Sequence, residues 1–151
     1  VKARGNMLIG SMLAGKAFAN SPVAAVHALA YPIGGTFHIS HGLSNSLVLP
    51  YVLKFNSIDV KAASCYAELA PYVFPQIDTS KGAQSICAEF INKLENLSKN
   101  LGLPQKLREV DIPKNACEKM AKDAMKQTRL LVNNPREVTE IDALNIYQTA
   151  W

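Results

Sequence analysis

The stretch Ala24-Ala25-Val26-His27-Ala28-Leu29-Ala30-Tyr31-Pro32-Ile33-Gly34-Gly35-Thr36-Phe37-His38-Ile39-Ser40-His41-Gly42 decides how this chain folds. Its first half is almost wholly alanine, valine and leucine, and a helix that is apolar all round is buried on most of its sides. Pro32 and the pair Gly34-Gly35 predict its end, because proline lacks the N–H a helix needs and glycine favours turns. A short loop through Thr36 to Ser40 follows, and Ser40 or His41 opens the next helix. All 3 histidines of the chain lie inside this stretch.

Upstream, residues 3–19 place Ala3, Met7, Leu8, Met12, Leu13, Ala14 and Phe18 at helical spacing. Gly10 and Gly15 inside that helix each cost about 1 kcal/mol against alanine, so they are expected to admit a close neighbouring helix. Asn20-Ser21-Pro22 reads as a stop and restart, with Ser21 as N-cap and Pro22 at the first helical position. Downstream, a third helix is expected to run to about Pro50, with a continuation or turn from Tyr51 to Phe55. Ser57 is expected to cap a fourth, Ile58 to Ala70, closed by Pro71. Ile86, Phe90, Leu94, Leu97 and Leu101 mark an amphipathic helix over 80–101, with Gly102 as its C-terminal cap. Asp111-Ile112-Pro113 predicts another helix start, and Thr139-Glu140-Ile141-Asp142 a capping box before the last helix. No strand-like alternation occurs. The expected fold class is all-α, a bundle of seven to eight helices in a single domain over 1–151.

Composition agrees. The chain has 151 residues, 48% hydrophobic and 19% charged, with a net charge of +4. One domain of this size buries roughly 70% of its unfolded surface. Basic residues are interspersed with acidic and apolar ones, as on solvated helix faces, so no nucleic-acid partner is expected. No apolar run reaches the ~18 residues a bilayer span needs, and no membrane partner is expected. Cys65, Cys87 and Cys117 are odd in number, lack CxxC spacing and sit in apolar helical patterns. Buried free thiols in a reducing cytoplasm are the expectation. The chain opens with Val1 and runs straight into a helix without a cap, which suggests a fragment cut inside or just before a helix.

His27 on a buried helix and His41 fourteen residues on can be brought together by a helix, a turn and a returning helix. Two neutral imidazoles converging in an apolar pocket suit Zn²⁺ or Fe²⁺. Two ligands do not complete a site, however, and a pair of core histidines satisfied by backbone carbonyls has the same spacing. His38 could be a third ligand, a polar pocket group or an exposed loop residue.

Several motifs in order then carry a resemblance. They are Leu13-Ala14-Gly15-Lys16-Ala17-Phe18-Ala19-Asn20, His27-Ala28-Leu29-Ala30, His41-Gly42, Leu49-Pro50, Phe55-Asn56, Asn134-Pro135-Arg136 and the closing Tyr147-Gln148-Thr149-Ala150-Trp151. Together they resemble the iron-containing (group III) alcohol dehydrogenase family, specifically its C-terminal helical domain, the dehydroquinate-synthase-like α-domain.

The resemblance implies a two-domain enzyme whose N-terminal α/β nucleotide-binding domain, for NAD or NADP, is absent from this chain. It implies a divalent ion, Fe²⁺ or Zn²⁺, held by one aspartate and three histidines. His27 and His41 match the last two of these, and the first two lie upstream. Where the family often has a further histidine four residues after the first of these, this chain has Tyr31, which would face the site as a catalytic hydroxyl or as a satisfied buried phenol. A phenol does not titrate near neutrality as imidazole does. Phe18 matches a pocket-lining aromatic, with core packing as the competing role. Phe37 and His38 stand on the expected loop where substrate enters, and Leu130 falls near the C-terminal side of the pocket.

The implied activity is hydride exchange between a small alcohol or aldehyde and nicotinamide, in a homo-oligomer when full length, with the 151-residue chain alone inactive. A maleylacetate-reductase-like or glycerol-dehydrogenase-like enzyme is the alternative within the superfamily, and a non-catalytic helical module the alternative outside it. A maleylacetate substrate would ask for cationic groups, and the histidine stretch offers only His38.

Overall fold

The computed structural model describes all of residues 1–151. The chain is built of α1 (Lys2–Asn20), α2 (Ala25–Phe37), α3 (His41–Asn56), α4 (Val60–Val73), α5 (Ala83–Asn100), a 3₁₀ turn (Leu107–Val110), α6 (Ala116–Ala124), α7 (Thr128–Leu131) and α8 (Glu140–Ala150). There are no strands, and no helix is long and apolar enough to cross a membrane.

The main core gathers α2, α3, α6 and α8 around Leu29, Ile33, Leu47, Val48, Met120 and Tyr147. Leu107, the first residue of the 3₁₀ turn, and Ile112, just after it, join it. A hairpin of α4 and α5 packs on α3 through Leu53, Ala63, Cys87 and Ile91. At its far end Ala67, Ala70, Ile77, Ile86 and Phe90 form a smaller cluster. Tyr147 is the largest fully buried side chain. Its hydroxyl donates to the Leu29 carbonyl at 2.6 Å, which ties α8 to the middle of α2.

Prolines stop fewer helices than the sequence suggests. Pro32 lies inside α2 and Pro50 inside α3, and both are buried. A mid-helix proline forfeits one backbone hydrogen bond. The apolar burial of Ala28, Leu29, Ala30 and Ile33 around Pro32 outweighs that loss, and α2 runs on to Phe37. Its end falls at His38, which takes the left-handed conformation (φ 56°) and donates its N–H to Gly34. Gly34 allows the close approach there: a Cβ would stand 3.2 Å from the Ile39 carbonyl oxygen and press on the chain as it turns back. Ser44 secures the turn by donating to the Ile39 and Ser40 carbonyls at 3.3 and 3.0 Å.

Helix starts also shift. α2 begins at Ala25, past the Ser21-Pro22 pair, with no side-chain cap. Asp59 caps α4 by accepting from the Ala62 N–H at 2.9 Å, whereas Ser57 donates back to Lys54. Pro71 sits in the last turn of α4. Asp111 closes the 3₁₀ turn in a left-handed conformation and α6 starts only at Ala116. Two local signals hold as read. Thr139 and Asp142 form the capping box of α8. Gly102 (φ 74°) ends α5, donating to Lys99 while Leu103 donates to Ser98, the paired bonds of a Schellman motif.

Two expectations fail. None of α1 is buried, and nothing lies within 4 Å of a Cβ built on Gly10 or Gly15, so no helix of this chain approaches those glycines. Cys87 and Cys117 are buried free thiols, pushed up by burial, but Cys65 is exposed on α4.

The end of α3 is tied to the 133–136 loop by a pair of amides, Asn56 buried and Asn134 half-buried. Asn56 donates to Asn134 at 3.1 Å and Asn134 to Asn56 at 2.7 Å. Arg136 lies 3.9 Å above the Phe55 ring and donates to the Phe55 carbonyl. Asn56→Ala should cost about 1–2 kcal/mol, because it removes both bonds to Asn134, whose carbonyl oxygen loses its donor while its amide nitrogen still donates to the Arg136 carbonyl. Equilibrium denaturation checks this; a neutral result would show that water replaces Asn56 freely.

Candidate metal centre

The turn at 38–40 returns His41, the first residue of α3, against the face of α2 that carries His27. The two ring centroids stand 5.1 Å apart with planes inclined at 51°, and no hydrogen bond joins them. Tyr31, one helical turn beyond His27, has its ring 6.5 Å from that of His41. Residues i and i+4 share a helix face, so His27 and Tyr31 look the same way.

His27 is half-buried, and burial, followed by the charge of His41, holds it below the usual imidazole range. It is therefore neutral at physiological pH, the form that offers a lone pair to a metal. His41 is exposed, with its ring beside Asn45: the Asn45 amide nitrogen stands 3.1 Å from His41 Nε2 and donates to the His41 carbonyl at 3.0 Å. Asn45 Oδ1 is buried without a partner, one turn along from His41.

These features fit a divalent ion. Two imidazoles bound through nitrogen to one tetrahedral ion have ring centroids about 5 Å apart, given metal–nitrogen bonds near ~2.1 Å. No third His, Cys, Asp or Glu joins His27 and His41, so these 151 residues offer a pair of ligands rather than a closed site. His38, exposed at the left-handed end of α2, is not brought to the pair.

A cleft of about 300 Å³ opens beside Tyr31, walled by Lys126, Gln127, Thr128, Arg129 and Leu130. It lies between α2 and residues 126–130, the approach to α7 and its first turn, so Tyr31 and Leu130 line one space. Phe37 is the last residue of α2, half-buried against the main core. Phe18, on α1, is 55% exposed and stands outside this cleft. Sequence reasoning missed Lys126, Gln127, Thr128 and Arg129. They lie about a hundred positions from Tyr31 in a segment that reads as solvated, and no local pattern links them to it.

A second groove, about 290 Å³ and mostly apolar, starts at His27 and runs past Val23, Val26, Leu49 and Leu53 to Asn56, Tyr66 and Asn134.

The model of the Fe-containing alcohol dehydrogenase family, C-terminal, matches residues 1–151. The chain belongs to that family. It is 40% identical, over 99% of its length, to long-chain-alcohol dehydrogenase 1 of Geobacillus thermodenitrificans. It is 31% identical, over 100% of its length, to the 1,3-propanediol dehydrogenase of Citrobacter freundii. Among solved structures, a 1,3-propanediol oxidoreductase superposes over 99% of this chain with a TM-score of 0.91 at 31% identity, covering 38% of that protein. An alcohol dehydrogenase from Oenococcus oeni does so with a TM-score of 0.89 at 30% identity, again over 99% of this chain and 38% of the other. The chain thus spans only 37% and 38% of the lengths of the two curated relatives. The all-α bundle is the fold of the C-terminal domain of this family of oxidoreductases.

Proposed function

We propose that this chain is the metal- and substrate-binding half of an NAD- or NADP-dependent alcohol dehydrogenase acting on a small alcohol or aldehyde. The observation that carries the reading is the approach of the His27 and His41 rings to 5.1 Å on a face shared with Tyr31. The nucleotide-binding α/β domain and the remaining metal ligands are assigned to sequence outside these 151 residues. A homo-oligomer in the cytoplasm is the state proposed for the complete protein.

His27 and His41 hold the divalent ion, Fe²⁺ or Zn²⁺, from one side. When bound, the metal supplies Lewis-acid polarisation of the substrate oxygen and the nicotinamide serves as hydride acceptor or donor. With both groups bound, the site would supply the two-electron, two-proton exchange between a carbinol and a carbonyl, with His27 and His41 holding the ion.

The chain's own residues do the positioning. Burial keeps His27 neutral and able to donate its lone pair. Asn45 sits against the His41 ring with its amide nitrogen 3.1 Å from Nε2, a contact that an ion at Nε2 would replace. Tyr31 presents a half-exposed hydroxyl at the mouth of the cleft, where it can donate a hydrogen bond to a substrate oxygen. Leu130 supplies apolar wall to the same cleft.

The test is alcohol oxidation by the full-length protein, followed as NAD(P)H formation over a series of primary alcohols with and without divalent metal. Metal-dependent turnover is expected. No turnover with any alcohol or aldehyde in either direction would favour a non-catalytic helical module. In the same assay Tyr31→Phe should lower kcat by about tenfold, the loss of one hydrogen bond near the reacting oxygen. An unchanged rate would make Tyr31 a wall residue only.

A further inference from the structure

The side chain of Asn45 is committed to His41 while its own oxygen goes without a partner. From one helical turn along α3 it reaches back, its amide nitrogen 3.0 Å from the His41 carbonyl and 3.1 Å from His41 Nε2. A carbonyl oxygen only accepts, so the atom beside it is the nitrogen, and one amide hydrogen goes there. The opposite amide orientation would set Oδ1 against that carbonyl, acceptor facing acceptor. The second hydrogen of Nδ2 is then the one that faces the ring. Nε2 must carry the lone pair to receive it, which places the proton of the neutral ring on Nδ1. This orientation leaves Asn45 Oδ1 buried and unpaired, a costly state for an amide oxygen. No neighbouring hydroxyl relieves it: Ser44 donates to the Ile39 and Ser40 carbonyls, and Ser46 meets Ser98.

We propose that Asn45 is a positioning residue that holds the place of the ion: in the metal-free protein its amide N–H occupies the lone pair of His41 Nε2, and it yields that lone pair when a divalent ion binds. The bond to the His41 carbonyl uses the other hydrogen, so binding at Nε2 need exchange only the contact with the ring. A contact made only in the metal-free state opposes binding by its net worth, whatever order it imposes on the ring beforehand. One net hydrogen bond corresponds to a factor of about 2 to 10 in affinity. Asn45 therefore weakens metal binding slightly and keeps the ion exchangeable. It also keeps the ligand nitrogen free of a proton, so that loading at His41 displaces a hydrogen bond and no proton.

This inference rests on the metal site proposed above, and the experiment separates the two. The full-length protein is stripped of metal, labelled with ¹⁵N in its histidines, and titrated with Zn²⁺ alone, as wild type and as Asn45→Ala. His41→Ala assigns the His41 ring signals. Alanine favours helix over asparagine, so the Asn45 variant should fold. Long-range ¹H–¹⁵N spectra of the metal-free wild type should show His41 protonated on Nδ1, a reading that needs no Asn45 variant. In Asn45→Ala the ring should shift toward the form protonated on Nε2, which a merely structural asparagine would not cause. The Zn²⁺ dissociation constant, measured against a competing chelator, should fall about 2- to 10-fold in that variant. Unchanged or weaker Zn²⁺ binding would overturn the inference, and so would a wild-type ring protonated on Nε2. Either result leaves the metal site intact provided His41→Ala still loses Zn²⁺. Zn²⁺ that leaves the His41 ring signals unmoved would remove the metal site, and the inference with it.

Discussion

His27→Ala and His41→Ala are each expected to strip the full-length protein of its bound metal and reduce alcohol oxidation by at least about a thousandfold, the scale of losing Lewis-acid stabilisation of the reacting oxygen. The two losses should not add, because either one dismantles the same site. Neither variant should unfold the domain. His27 is only half-buried and His41 is exposed, so removing either ring opens little cavity. Metal content after dialysis, together with kcat, reads the effect. Full metal and full rate in both variants would make these residues an ordinary core and capping pair.

Tyr147→Ala is expected to be the most destabilising single change in α8, costing about 3–5 kcal/mol. The side chain is fully buried in the main core, and its hydroxyl makes a 2.6 Å bond to the Leu29 carbonyl. Burial pushes the phenol far above its usual range, so it stays protonated and donates at any pH the protein survives. Because Leu29 sits two residues after His27 on α2, the substitution removes both packing and a strut from the helix that carries His27. Tyr147→Phe keeps the ring and removes only the second bond to a carbonyl that α2 already engages, for about 1 kcal/mol. Denaturant midpoints of the two variants separate the terms. Equal losses would mean that the hydroxyl, rather than the ring, dominates.

Elements with local signals were legible in the sequence. The i, i+3, i+4 pattern of α5 and the Thr139–Asp142 box need only neighbouring residues, and so does Gly102, whose positive φ satisfies the last carbonyls of its helix. The histidine pair was legible for a different reason. Three histidines in one short stretch is an unusual density, and a helix–turn–helix of that length can return one to the other.

What stayed hidden depends on tertiary context. Pro32 and Pro50 read as helix stops because the lost hydrogen bond is a local cost, whereas the burial that offsets it is supplied by other helices. The Asn56–Asn134 amide pair spans 78 positions, and nothing at either residue announces the other. The same distance problem hid Lys126 and Arg129 from the Tyr31 cleft. For α1, periodicity correctly indicated a helix but could not say whether its apolar residues meet anything. Met7, Leu8, Met12 and Leu13 all remain exposed in this chain.

X-ray absorption at the metal edge of the full-length protein tests the central claim most directly, because it counts imidazoles around the ion rather than inferring them from rate. The account predicts imidazole scattering in the wild type that weakens by about one ring in His27→Ala and in His41→Ala, each reconstituted with excess metal. A shell unchanged in both variants would contradict it and place the metal away from this face of α2 and α3.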